Sequence, residues 1–319
     1  MRALQITRLG EAPELVAAAP EPARAAGEAL VAVAAAPLNP VDVAIASGRH
    51  FTGVPDVPYV PGLEGVGRVL EGERLAPGTM VRFETRAGRG ALAERTVAVE
   101  AEAWPFETSL DSATAACFGI AGLAAWMPLV WRGRLTAQDA VLILGASGAV
   151  GALAVQIAAL HGARRVVAAG RASAGLERAR ELGADAVVAL DRVDDPAQAL
   201  REALDGGADL VLDPLWGEPA VHAIAATNDF ARVIQIGQSA GATAELASAP
   251  VRSRQLDLLG YTNFGAPDVA KRGAFARMLV HAERGELRIE PERVPLADSP
   301  GAWSRLAGGE AAGKLVVVP

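Results

Sequence analysis

The residues with the most specific chemistry lie in the run Val141-Leu-Ile-Leu-Gly145-Ala-Ser-Gly148-Ala-Val-Gly151. Four apolar residues enter a turn of small residues, and a helical pattern follows (Leu153, Gln156, Ile157, Leu160). Strand, glycine turn and helix in that order are the context that a dinucleotide-binding fingerprint requires. Such a turn lets the backbone approach a pyrophosphate, and the start of the helix offers unpaired N–H groups and the positive end of its dipole. Gly148 puts no side chain in the path of the phosphates, and Gly151 permits close packing of helix on strand. Ala146 stands where the first glycine of the pattern usually lies. Ala146, Ser147, Gly148, Ala149 and Val150 are therefore cofactor-contact candidates. An ordinary strand–helix turn would look the same in isolation, so the reading leans on the surrounding elements.

The end of the next strand selects the cofactor. An acid there would hold the adenosine ribose hydroxyls of NAD. This chain instead has Gly170-Arg171-Ala172-Ser173, with no acid before Glu177. Arg171 can pair with a 2′-phosphate that an acid would repel, which reads as NADPH with Gly170, Arg171 and Ser173 around the ribose. The alternatives are a solvated surface arginine and a serine that caps the following helix.

Other redox chemistries lack their residues. One cysteine, Cys117, sits in an apolar context, and the four histidines, His50, His161, His222 and His281, are scattered. Neither pattern suits a zinc centre. A short-chain reductase would carry a Tyr and a Lys separated by three residues, but Tyr59 and Tyr261 are followed at that spacing by Leu63 and Gly265.

The elements that must position these residues follow from patterning. The 319 residues suffice for about two domains, and a 51% hydrophobic, 21% charged composition excludes general disorder. A formal net charge of −7 argues against nucleic acid as a partner. The apolar stretch from Ala113 to Val130 is broken by Gly119, Gly122 and Pro128, so it reads as buried elements rather than a membrane span; a cytoplasmic protein is expected. The first third is punctuated by Pro and Gly around short β-like runs (Glu28–Ala34, Val66–Leu70, Met80–Phe83, Arg95–Val99), as in a compact β unit. From Asp111 to about Gly260 the apolar runs Ala140–Leu144, Arg165–Ala169, Ala186–Leu190, Asp209–Asp213, Arg232–Ile236 and Leu256–Gly260 alternate with helical segments at Ala149–His161, Gly175–Leu182, Pro196–Leu204 and Glu218–Ala226. That alternation predicts an α/β fold, a Rossmann-type doubly wound parallel sheet. A helix at Asp268–Arg284 and a strand at Gly313–Pro319 close the chain.

Read together, the motifs resemble a zinc-free medium-chain dehydrogenase/reductase of the quinone oxidoreductase (zeta-crystallin-like) family. Leu38-Asn39-Pro40-Val41-Asp42 matches the family's Asn-x-x-Asp segment, and Pro61-Gly62-Leu63-Glu64-Gly65-Val66-Gly67 matches its Pro-Gly-x-Glu-x-x-Gly segment. Zinc-binding members carry a His ligand where this chain has Leu63, so the resemblance implies no metal. Gly119–Ala125, the glycine turn, Glu181-Leu-Gly-Ala-Asp185, Gly237-Gln-Ser-Ala-Gly241 and Ala312-Gly-Lys-Leu-Val-Val-Val-Pro319 follow in the family's order. The chain departs from it at Ala124, where a threonine is frequent, and at Ala174 and Leu190, where some members hold the 2′-phosphate with Lys and Tyr.

The resemblance implies a GroES-like, mostly β catalytic domain (1–115 plus 262–319) with the Rossmann domain (116–261) inserted, a cleft between them, and a homodimer. It implies hydride transfer from NADPH to a small-molecule quinone or α,β-unsaturated carbonyl. Substrate-side candidates are Asn39, Asp42 and Tyr59. Tyr59 could donate to a developing oxyanion or be a buried aromatic, Asp42 is more often a local hydrogen-bonding or capping residue than a general acid, and Asn39 could orient the carbonyl or hold its loop. Arg49 and His50 sit in a Gly-flanked loop expected to edge the pocket, with a solvated histidine as the alternative reading. By the same analogy Gly237, Gln238, Ser239, Asn263 and Phe264 lie near the nicotinamide, with ordinary turn chemistry as the alternative. A different class stays open: an NADPH-binding sensor or structural protein with little turnover.

Overall fold

Alternating apolar residues in Glu28–Pro37 build a ten-residue strand, the organiser of the first unit. The structure, a computed structural model, describes residues 1–48, 53, 55–86, 88–311 and 313–319; Arg49 and His50 lie outside the described residues. Strand Glu28–Pro37 pairs antiparallel with Glu64–Glu71 and with Arg95–Val99, and Glu64–Glu71 pairs antiparallel with Met80–Glu84. The C-terminal strand Leu315–Val318 joins the same sheet antiparallel, placing Val316 opposite Pro37 and Val317 opposite Ala36. Sequence ends thus meet in one core, where Leu4, Ile6, Val31, Leu38, Phe83, Leu92, Trp303 and Val317 are buried together.

A helix at Pro40–Ala46 follows that long strand. The sequence pattern alone does not announce it, although Asn39 before it, Pro40 at its first position and Asp42 at its third are helix-start signals.

The second unit contains a six-stranded sheet. All its neighbouring strands are parallel, in the spatial order Ala186–Ala189, Arg165–Gly170, Ala140–Leu144, Ala208–Asp213, Thr227–Gln235, Asp257–Gly260. That is the doubly wound order, with the reversal between Ala140–Leu144 and Ala208–Asp213. Ala140–Leu144 is buried at every residue, as a central parallel strand should be.

Two elements differ from expectation. The α-helix expected over 175–182 is confined to Ala174–Glu177. Beyond it, three-residue backbone bonds (Arg180 N–H to Glu177, Gly183 N–H to Arg180) interrupt the four-residue ladder. The fifth strand begins at Thr227, earlier than its apolar run, and its pairing with Ala208–Asp213 shifts register before Arg232, where Phe230 takes φ +60°.

By contacts the two compact units are Met1–Ile120 with Ile289–Pro319, and Ala121–Arg288. Residues 262–288, expected in the first domain, fold with the second, and 116–120, expected in the second, fold with the first. Among the described residues no helix is long and apolar enough to cross a membrane.

Candidate functional site

Parallel strands bring their C-terminal ends to one edge, and in the second unit this places the cofactor candidates in a row. In spatial order the edge carries the turn Leu190–Arg192, then Gly170–Ser173, Ala146–Val150, Asp213–Trp216, Gly237–Ser239 and Asn263–Phe264. Ligands of such sheets bind outside these ends, at the switch point. Here that point is the crevice between Ala140–Leu144 and Ala208–Asp213.

The glycine turn has the shape a diphosphate needs. Gly145 adopts φ +62°, a region that favours glycine. A Cβ on Gly151 would stand 2.4 Å from the Gly145 carbonyl oxygen, so only glycine allows the helix to start there. A Cβ on Gly148 would meet only the Gly145 oxygen, at 3.6 Å, and Ser147 and Gly148 are exposed. Gly148 caps the twelve-residue helix Ala149–Leu160, whose first N–H groups lack intrahelical acceptors. An open cradle at a helix start fits a pyrophosphate. Ala146, by contrast, is buried, its N–H bonded to the Ala169 carbonyl at 3.2 Å, so it shapes the turn from within.

At the end of strand Arg165–Gly170, Arg171 and Ser173 are exposed. Ser173 caps the short helix after it, its hydroxyl accepting the Leu176 N–H at 3.2 Å, as its alternative reading held. An acid that sequence reasoning missed also stands here: Asp191 accepts the Ala172 N–H at 2.7 Å.

Beyond the crevice, Gly237 is forced by close approach, since a Cβ would lie 2.6 Å from the Pro214 oxygen. Ser239 donates its hydroxyl to the same oxygen at 3.2 Å, which is turn chemistry. Gln238 is exposed, Phe264 is half exposed, and Tyr261 donates to Asn263 Oδ1 at 2.7 Å. Asp213 was also missed. It is fully buried, one oxygen accepts the Leu215 and Trp216 N–H groups at 2.8 Å each, and the other has no partner among the described residues. Burial raises its carboxyl above the usual range despite those two bonds. Its sequence signal was an acid closing an apolar strand.

In the first unit two of the substrate-side candidates fall into a buried polar network. Asp42 accepts the Asn39 N–H at 2.8 Å and the Leu63 N–H at 2.9 Å. Asn39 donates to Glu64 at 3.2 Å and accepts from Lys314 Nζ at 2.5 Å. Lys314 also donates to the Leu38 carbonyl at 2.8 Å. Glu64 takes Arg82 Nη2 at 3.0 Å and the Ile120 N–H at 2.7 Å; Arg82 reaches Glu84 at 2.8 Å and covers the Trp104 ring at 4.4 Å. Asn39, Asp42, Glu64, Arg82 and Lys314 are each no more than 5% exposed. Burial lifts the Asp42 carboxyl to about 6 against the pull of its two N–H donors, and burial draws Lys314 below the usual lysine range. Every polar side-chain atom of Asn39 and Asp42 is bonded to protein, which favours their local, loop-holding alternative.

Tyr59 lies in the hydrophobic core. Its hydroxyl is shielded and has no partner among the described residues, and burial followed by the Asp42 charge pushes it to about 12. Cys117 is a buried free thiol that donates to the Ala113 carbonyl at 3.2 Å.

Comparisons with known proteins agree with this architecture. Residues 25–108 match the alcohol dehydrogenase GroES-like domain family, and residues 149–278 match the zinc-binding dehydrogenase family. A phenolphthiocerol/phthiocerol polyketide synthase of Mycobacterium tuberculosis is 31% identical over 86% of this chain, which spans 13% of the synthase polypeptide's length. A trans-enoyl reductase, pgmF, of Aspergillus terreus is 27% identical over 91% of this chain and 86% of its own. Among solved structures, the quinone oxidoreductase of Thermus thermophilus, also determined with NADPH, superposes at TM-score 0.81 with 28% identity over all of both chains. A structure described as an NAD-dependent alcohol dehydrogenase superposes at TM-score 0.87, again with 28% identity over all of both chains.

Proposed function

We propose that this chain, a medium-chain dehydrogenase/reductase of the quinone oxidoreductase-like type, is an NADPH-dependent, zinc-independent reductase of a quinone or an α,β-unsaturated carbonyl. The observation that carries the reading is the open glycine cradle on the same sheet edge as the exposed Arg171. The backbone of Ala146–Val150 would hold the pyrophosphate, Arg171 the 2′-phosphate, and Gln238, Asn263 and Phe264 the nicotinamide end. The bound nicotinamide supplies the hydride. The chain's own contribution is position: near-attack geometry lowers the barrier by converting a bimolecular encounter into an intramolecular one.

The zinc-independent part rests on Leu63 at the residue before Glu64 and on the donor chemistry around it. Cys117 is buried with its thiol pushed up to about 12 by burial, which disfavours the thiolate that a metal needs. The NADP part rests on Arg171 and on the NADPH complex of the Thermus relative; the NAD-dependent structural relative makes the measurement necessary.

NADPH and NADH consumption with a quinone panel and an enone panel, beside direct titration of both cofactors, tests the proposal. Turnover with one panel is expected. Tight NADPH binding without turnover on either would replace the enzyme by a sensor or structural protein. Arg171→Ala is expected to weaken NADPH by about tenfold or more, the worth of a charge-assisted bond, and NADH far less. Equal effects on both cofactors would remove the phosphate assignment, and one zinc per chain in purified protein would remove the metal-free reading.

A further inference from the structure

We propose that Asp191 is a specificity-determining residue of the ribose end: it tethers the loop that bears Arg171 and supplies the counter-charge that holds NADPH selection below what Arg171 alone would give. The inference rests on the nucleotide-binding reading of this edge.

Strand Ala186–Ala189 pairs in parallel with Arg165–Gly170, with Ala189 opposite Gly170, so the two strands end side by side. The first continues into the 3-10 turn Leu190–Arg192, the second into Arg171 and Ala172. There Asp191 Oδ1 accepts the Ala172 N–H at 2.7 Å, across nineteen residues of sequence. Its other oxygen lies 3.8 Å from Arg192 Nε. The Ala172 bond first, then the charges of Arg192 and Arg171, hold the carboxyl below the usual aspartate range, so it is ionised at neutral pH.

In dinucleotide folds an acid at the end of the second strand favours NAD, and an arginine nearby accommodates the 2′-phosphate of NADP. This edge has both. The arginine comes from the second strand's own end, and the acid enters from the third. Asp191 therefore acts in two separable ways. Its hydrogen bond to the Ala172 N–H fixes the Arg171 loop. Its charge opposes a dianionic 2′-phosphate without opposing a ribose hydroxyl. A like charge at the surface weakens binding of a dianion about three- to tenfold at low salt.

Two variants separate the roles. Asp191→Asn keeps an oxygen for the Ala172 N–H and removes the charge; Asp191→Ala removes both. Isothermal titration of the full chain with 2′,5′-ADP and with 5′-AMP, at low salt, reads binding without turnover. Asp191→Asn is expected to tighten 2′,5′-ADP about three- to tenfold and to leave 5′-AMP within about twofold, with the gain shrinking at high salt. Asp191→Ala is expected to bind both nucleotides more weakly than Asp191→Asn does. Unchanged or weakened 2′,5′-ADP binding in Asp191→Asn overturns the proposal, and weakened binding of both nucleotides would make Asp191 a ribose ligand instead. If the wild-type chain binds neither nucleotide, the nucleotide-binding reading falls and this proposal with it. If it binds both and Asp191→Asn is silent, the Asp191 proposal falls alone.

Discussion

Glu64→Gln isolates what the buried network contributes to the first unit. Glu64 accepts from Asn39 Nδ2, from Arg82 Nη2 and from the Ile120 N–H, and none of these three can become an acceptor. An amide flip of Asn39 gives no escape, because its oxygen already takes Lys314. A glutamine must therefore aim its NH2 at a donor on one side or the other. The substitution also takes from Arg82 one of its two carboxylates, leaving Glu84 at 2.8 Å. Breaking a buried, hydrogen-bonded charge pair costs about 3–5 kcal/mol. Since Glu84 remains, the lower end applies, ~3 kcal/mol, which for a unit of this size lowers Tm by about 6–12 °C. Urea unfolding and thermal scanning measure it, with Glu84→Gln as the control. The Glu84 side chain is 33% exposed, so water can replace part of what it loses, and about 1 kcal/mol or less is expected there. A Glu64→Gln loss below about 1 kcal/mol, or no larger than the control's, would refute the argument that this carboxylate is a structural keystone.

Two further perturbations test the same unit. The folded Asp42 carboxyl is raised from 3.8 to about 6, so its favourable contribution is complete below pH 3.8 and disappears as the pH rises through 6, an effect of ~3 kcal/mol. The stability of wild type relative to Asp42→Asn should therefore fall between pH 4 and 7; a flat or rising difference from urea titrations would contradict this. Tyr59→Phe deletes a shielded hydroxyl that has no partner among the described residues, so stability should hold or rise by up to about 1 kcal/mol and turnover should stay within about twofold. A large loss of turnover at unchanged stability would restore Tyr59 as an oxyanion donor.

The parallel sheet was legible because strands buried on both faces are written as continuous apolar runs, as Ala140–Leu144 shows. The glycine turn was legible because close backbone approach admits few residue types. What escaped depends on distant parts of the chain. Asp191 is one acid in an exposed turn, and its meaning comes from strand order, which sets it beside Ala172. The Lys314 contact with Asn39 spans 275 residues. Local energetics hid other pieces. Asn228 and Asp229 carry polar side chains in a strand, and the 175–182 segment alternates between two hydrogen-bonding periods that its sequence does not distinguish.

Glu64 also explains a glycine that the sequence offered only as a family marker. A Cβ on Gly119 would sit 2.0 Å from Glu64 Oε2, so the chain can present the Ile120 N–H to that carboxylate only because residue 119 has no side chain. Asn39, Glu64, Gly119 and Lys314 are thus one device. Glu64 gathers the Asn39 amide, Arg82 and the Ile120 N–H on one buried carboxylate, and Lys314 joins through the Asn39 oxygen. Within this network the side-chain atoms of Asn39 and Glu64 are all bonded to protein, while Arg82 Nε is buried with no partner among the described residues. The recognition chemistry proposed above lies instead at the open edge of the second unit, where Ser147, Gly148, Arg171 and Gln238 are exposed. Substitutions in the two places should separate cleanly. Changes to the network should move stability and spare 2′,5′-ADP affinity, and changes at Arg171 or Asp191 should move nucleotide affinity and spare stability.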